Sequence, residues 1–104
     1  MLTNLYDETE KAINGRKIAY AKINVLVNTF GDGVRNYQLK PNYTDEEEQD
    51  FWNGLYLTNY DNGYGTQYVR GFIVFTDGTW LEREEYDGSE WWGSKRCPIF
   101  TDLV

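Results

Sequence analysis

The stretch Gln67-Tyr68-Val69-Arg70-Gly71-Phe72-Ile73-Val74-Phe75-Thr76-Asp77-Gly78-Thr79-Trp80-Leu81-Glu82-Arg83-Glu84-Glu85-Tyr86 decides the fold. Two β-prone runs, 67–76 and 79–86, flank Asp77-Gly78, and Asp-Gly between such runs favours the positive backbone angles of a two-residue type I′ hairpin. Side chains alternate along a strand, so Trp80, Glu82, Glu84 and Tyr86 share one face while Leu81, Arg83 and Glu85 share the other. Asp87-Gly88 makes another turn, and residues 90–99 return as a further short strand that Pro98 limits.

Upstream of this hairpin, Thr3 is placed to cap a helix with Leu5, Tyr6, Thr9, Ala12 and Ile13 on its apolar stripe and Asp7, Glu8 and Glu10 in its early turns. Asn14-Gly15 stops it. From Lys17 the period becomes two, with Ala19, Ala21, Ile23, Val25 and Val27 on the buried face of a strand. Gly31-Asp32-Gly33 turns the chain, and 34–40 reads as a weaker return strand, an edge candidate ended by Pro41. Thr44-Asp45-Glu46-Glu47 fits the capping box of a second helix over about 44–54, with Phe51, Trp52 and Leu55 as its apolar stripe. Residues 56–66, rich in Tyr, Asn and Gly, have no clear period and read as an irregular loop with Tyr56, Tyr60 and Tyr64 turned outward. The expected architecture is α+β: an antiparallel sheet of four to five strands with two helices packed on one face.

The chain has 104 residues, 40% apolar and 17% aromatic, which is too much hydrophobic material for a disordered acidic tail despite a net charge of -7. Two independent halves would each be too small to bury a stable core, so one domain over 1–104 is expected. The run 18–27, broken by Lys22 and Asn24, falls short of the roughly 20 residues of a membrane span. Met1-Leu2-Thr3-Asn4-Leu5-Tyr6-Asp7-Glu8 lacks the pattern of a secretory signal, and Cys97 has no second cysteine to pair with. A cytoplasmic location follows as the expectation.

Enzyme chemistry has little to work with. Histidine is absent, removing the commonest general base and the commonest metal ligand. Ser89 and Ser94 lack both a nucleophile-elbow context and a histidine partner, and one cysteine cannot build a zinc site. Glu82, Glu84, Glu85, Asp87 and Glu90 are the abundant candidates for magnesium or acid/base work, but alternation divides them between the two faces of a strand. Gly31-Asp32-Gly33 and Gly63-Tyr64-Gly65 lack the spacing and lysine of phosphate-binding loops. No catalytic residue, cofactor or metal is expected.

The acidity is local. Residues 1–40 carry six basic and four acidic side chains, residues 41–65 six acidic and none basic, and residues 77–90 six acidic and one basic. Clustered carboxylates imitate a phosphate row, so they suit a partner whose lysines and arginines bind nucleic acid; direct binding of nucleic acid by this chain is opposed by repulsion. Trp91-Trp92 on a strand point to opposite faces, leaving one indole near the surface unless a helix covers it, and Trp or Tyr beside carboxylates matches the composition of interface hot spots.

The segment Phe75-Thr76-Asp77-Gly78-Thr79-Trp80-Leu81-Glu82-Arg83, followed by Glu85-Tyr86-Asp87-Gly88-Ser89-Glu90-Trp91-Trp92, resembles the C-terminal hairpin of small orphan proteins of phages and mobile elements. In size, acidity and lack of catalytic motif the whole chain is similar to anti-CRISPR proteins and other inhibitors of host defence, several of which mimic DNA. The resemblance implies an inhibitor in the host cytoplasm that covers a basic nucleic-acid-binding surface of a host protein. Candidate contacts are Asp45, Glu46, Glu47, Glu48 and Asp50 on the second helix, Glu82, Glu84 and Glu85 on the hairpin, and Tyr60, Tyr64 and Trp91 as aromatic anchors. The alternatives are a structural or assembly protein acting through homodimer contacts and a module binding a small ligand such as a nucleotide or sugar.

Overall fold

In the computed structural model, residues 2–26, 33–61 and 67–97 are described. In chain order the elements are β1 (Leu2–Asn4), α1 (Leu5–Ile13), β2 (Ile18–Leu26), β3 (Val34–Leu39), α2 (Asp45–Tyr56), β4 (Asn59–Asp61), β5 (Val69–Phe75), β6 (Trp80–Tyr86) and β7 (Ser89–Lys95). Five strands form one antiparallel sheet in the order β3-β2-β5-β6-β7, and β1 pairs with β4 as a separate two-stranded ribbon. The fold is α+β, and β3 is an edge strand as its polar sequence suggests.

The two Asp-Gly pairs differ in turn type, and Asp77-Gly78 departs from the one expected of it. At Thr76-Asp77-Gly78 only the glycine has positive φ, +88°, and Gly78 N–H donates to the Phe75 carbonyl while Phe75 N–H donates to Thr79. That is a three-residue connection ending in a left-handed glycine, not a type I′ pair. Asp77 prefers it because its Oδ1 accepts both the Thr79 N–H at 2.9 Å and the Thr79 hydroxyl at 2.5 Å. The type I′ geometry appears instead at Asp87 (φ 52°) and Gly88 (φ 86°), which directly join the paired residues Tyr86 and Ser89.

Asn4, not Thr3, caps α1: its side chain accepts from the Asp7 N–H at 3.1 Å, while Thr3 pairs with Tyr60 in the β1–β4 ribbon. Asparagine caps at least as well as threonine, and the ribbon claims the residue before it. Asn14 in the left-handed region ends the helix, and Arg16 donates to the Ile13 and Ala12 carbonyls while its guanidinium lies 4.0 Å from the Phe75 ring centre. In β2 a register shift between Ile18 and Tyr20 brings Ile18 into the core in place of the expected Ala19. Val27 and the Gly31-Asp32 part of the predicted turn lie outside the described residues. The Thr44–Glu47 capping box forms with both of its hydrogen bonds, and α2 runs to Tyr56.

The helices lie together on one face of the sheet, α2 against β3 and α1 toward β7. There Leu5, Ile13, Phe51 and Leu55 meet Ile23, Val25, Leu39, Ile73, Phe75 and Leu81. Among the described residues no helix covers the opposite face, where Tyr20, Phe72 and Trp91 are exposed, and the sheet register assembles it from residues far apart in sequence. Tyr20, Val74, Trp80 and Lys95 form one row across the strands, and Lys22, Phe72, Glu82 and Gly93 the next.

Candidate functional site

On the open face of β6 and β7 both outward indoles are held by carboxylates. Trp80 Nε1–H donates to Glu82 Oε1 at 2.7 Å, two residues along the same strand. Trp91 Nε1–H donates to Glu84 Oε2 at 2.9 Å across the ladder, where Glu84 and Trp91 are directly paired. Lys95 donates to the other oxygen of Glu84. Gly93 makes room for this: a Cβ there would stand 2.5 Å from the Glu84 carboxyl carbon. Trp91 is 40% exposed and Tyr86 77% exposed, with Glu85 and Asp87 exposed at the end of the same hairpin. The result is a surface on which the Trp80 and Trp91 rings are held in fixed orientations by neighbouring carboxylates.

The Lys95 ammonium, aided by the Trp91 indole, holds the Glu84 carboxyl below its ordinary value of 4.5, and Glu84 in turn raises Lys95. A depressed folded-state value means the stabilisation is complete above the ordinary glutamate range and is lost as pH falls through the lower, folded-state value. The Trp91 indole N–H resonance is therefore expected to shift in an acid titration with a midpoint below 4.5. Glu84→Gln should abolish that transition; a wild-type midpoint at or above the ordinary value would contradict the geometry.

The second acidic segment does not join this surface. Asp45, Glu46 and Asp50 are exposed on α2, which lies on the helix-covered side of the sheet near β3, whereas Glu82 and Glu84 project from the open side. Glu47 is engaged in the capping box, and Glu48 accepts from Trp52 Nε1 at 3.4 Å. The sheet thus separates the α2 carboxylates from Glu82 and Glu84, and the two acidic segments do not share one face. Glu85 turns its Oε1 back to accept the Gly88 N–H at 3.0 Å, bracing the hairpin end.

Tyr60 is not an exposed anchor. It is 4% exposed, because 59–61 is strand β4 rather than loop and its pairing with β1 points the ring inward. Its hydroxyl donates to Glu8 and accepts from Arg83; burial first, then the bond to Glu8, raises the phenol well above its ordinary value, so it keeps its proton. Tyr64 lies outside the described residues.

Tyr60 belongs to a buried polar cluster that sequence reading did not find. Arg83, with a side chain 1% exposed, pairs with Glu8 at 2.9 Å and with Glu90 at 3.0 Å, between the rings of Tyr60 and Trp92. Glu90, fully buried, also accepts the N–H groups of Tyr68 at 2.7 Å and Val69 at 3.1 Å. Trp92 faces the same side, 8% exposed, with its N–H on Thr9 at 2.9 Å. The Trp91-Trp92 pair is divided between faces as alternation requires. The place of Arg83 and Leu81 on one side of β6 was a usable signal, but its partners come from α1, β4 and β7. Arg83, Glu8, Glu90 and Tyr60 are bonded to one another, which makes the cluster an internal support for the hairpin.

Among the described residues no group of three or more His, Cys, Asp or Glu side chains is arranged to hold a metal ion, and no helix is long and apolar enough to cross a membrane. Comparison with protein-family models, with curated proteins and with solved structures finds no match to this chain.

Proposed function

We propose that this chain is a non-catalytic binding protein, an inhibitor that covers the basic surface of a host nucleic-acid-handling protein with the open face and end of its β6–β7 hairpin. The observation that carries this reading is the Trp91 indole, exposed yet fixed by Glu84, with Tyr86, Glu85 and Asp87 exposed at the end of the same hairpin. Aromatic rings held rigidly next to carboxylates have the composition of interface hot spots, and local negative charge steers a basic partner. Four carboxylates, of Glu82, Glu84, Glu85 and Asp87, stand at this hairpin, where Arg83 is buried on the other side of the sheet and Lys95 is drawn to Glu84. Lys22 and Arg70 stand apart on β2 and β5, which gives the open face a charge direction and hence a preferred docking orientation. The α2 carboxylates contribute to long-range attraction rather than to the contact.

The test is displacement of nucleic acid from host proteins captured on the immobilised chain, repeated over a range of salt. Affinity is expected to fall as salt rises. Trp91→Ala should weaken it about tenfold or more, the loss typical of a central tryptophan anchor. Gly93→Ala, which pushes the Glu84 carboxylate off its partners, should weaken it in the same direction. Capture that ignores salt and survives Trp91→Ala would remove this reading.

A further inference from the structure

Beside the hairpin, the open face carries a depression of about 670 Å³ lined by Tyr20, Phe72, Val74, Trp80 and Glu82. Its volume falls within the range of small-ligand sites, about 300–1,000 Å³. The rings of Tyr20 and Phe72 stand 6.2 Å apart at 82°, so they form two walls at right angles and not a flat stacking platform. Trp80 is a further aromatic wall, tethered through its N–H to Glu82. Gly71 and Gly78 border the depression without side chains to fill it.

Charge decides what such a box would hold. Arg83 borders the depression through its backbone, since its side chain is buried on the other side of the sheet with Glu8 and Glu90. Lys22 and Lys95 are in register with Phe72 and Trp80 but do not line it, and Lys95 is drawn to Glu84. Glu82 is therefore the charged side chain facing the aromatic walls. One of its oxygens takes the Trp80 N–H and the other is an available acceptor for a bound cation.

We propose that this depression is an aromatic cage for a cationic side chain, an arginine or lysine of the partner protein, held by ring faces and by the Glu82 carboxylate. The proposal rests on the partner being basic, as argued above, and adds a second anchor point about which the hairpin docks. A nucleobase would need parallel ring faces, and a phosphate would need the lysines turned inward; the perpendicular rings and the inward carboxylate favour the cation.

The cage is tested on the isolated chain by NMR, with N-acetyl-arginine amide as the probe and N-acetyl-citrulline amide, its neutral isostere, as the comparison. The arginine probe is expected to shift the Trp80 indole N–H and the Gly71 and Gly78 amides, and the citrulline probe to leave them in place. Glu82→Gln keeps an acceptor for Trp80 but removes the charge, and Tyr20→Ala removes one wall; each should weaken the arginine response about threefold to tenfold. An equal response to citrulline, or no response at Trp80, overturns the cage. If the arginine probe fails while salt-sensitive capture of a basic protein persists, the cage is wrong and the hairpin reading stands. If the probe binds and no basic partner is captured, the cage stands as a cation site and the partner reading falls.

Discussion

Replacing Arg83 with alanine is expected to cost about 3–5 kcal/mol of folding stability, the range for removing one partner from a buried ion pair. The loss has two sources. The carboxylate of Glu90 would remain fully buried, and that of Glu8 partly buried, without their cation, and the Tyr60 hydroxyl would lose its donor. The guanidinium also fills space 5.4 Å from the Tyr60 ring centre and 5.0 Å from that of Trp92. Small domains have about 5–15 kcal/mol in total, so the variant would be marginal. Urea denaturation followed by near-ultraviolet circular dichroism would show the midpoint fall. A double-mutant cycle with Glu90→Gln should give a coupling above about 0.5 kcal/mol, because the two groups touch. A loss below about 1 kcal/mol, the range of an exposed pair, would mean that the cluster is open to water.

Gly71→Ala is expected to cost about 3 kcal/mol or more, through backbone strain and a backbone clash together. Gly71 has φ +139° and lies opposite Ile23 in the pairing of β5 with β2, at the centre of the sheet. A Cβ at this position would press on the Lys22 carbonyl oxygen and come within 2.9 Å of Ile23 Cα. Both are main-chain atoms of a strand paired on both sides, so neither can yield without separating β2 from β3 or β5. Gly15→Ala is the informative control. Its φ is also positive, at +78°, but a Cβ meets nothing within 4 Å, so about 1 kcal/mol of strain is the expected cost. Thermal denaturation of the two variants should separate them clearly; equal losses would mean that the β2–β5 register is not as described.

Local signals were legible wherever the physics was local. The α2 capping box needs only Thr44 and Glu47, three residues apart, and it forms as read. The alternation of Trp80, Glu82 and Glu84 against Leu81 and Arg83 holds along β6, and the Trp91-Trp92 pair splits as neighbouring strand residues must. Readings failed where a distant partner outweighed a local preference. Thr3 lost the cap because β1 pairs with β4, and Tyr60 turned inward because that same ribbon gave direction to a segment with no period of its own. Asp77-Gly78 carries type I′ residues yet takes the longer connection that Thr79 supports through the Asp77 carboxylate.

The candidate site divides along the same line. Trp91, Glu82 and Glu84 were readable as an aromatic and acidic strand pair, since a single hairpin brings them together. The contact of Tyr20 with Phe72 was not, because it exists only once β2 is placed beside the distant strand β5.

What the sequence by itself determined is the α2 cap, the two faces of β6 and the split of Trp91 from Trp92: capping and strand period act over a few residues and need no partner. Whether the two acidic segments share a face, which tyrosine is buried and where Arg83 finds its counter-charges were decided by tertiary structure. Those outcomes depend on which strands become neighbours and on which side the helices settle, and burial on that side turns an arginine and two glutamates into a mutual requirement.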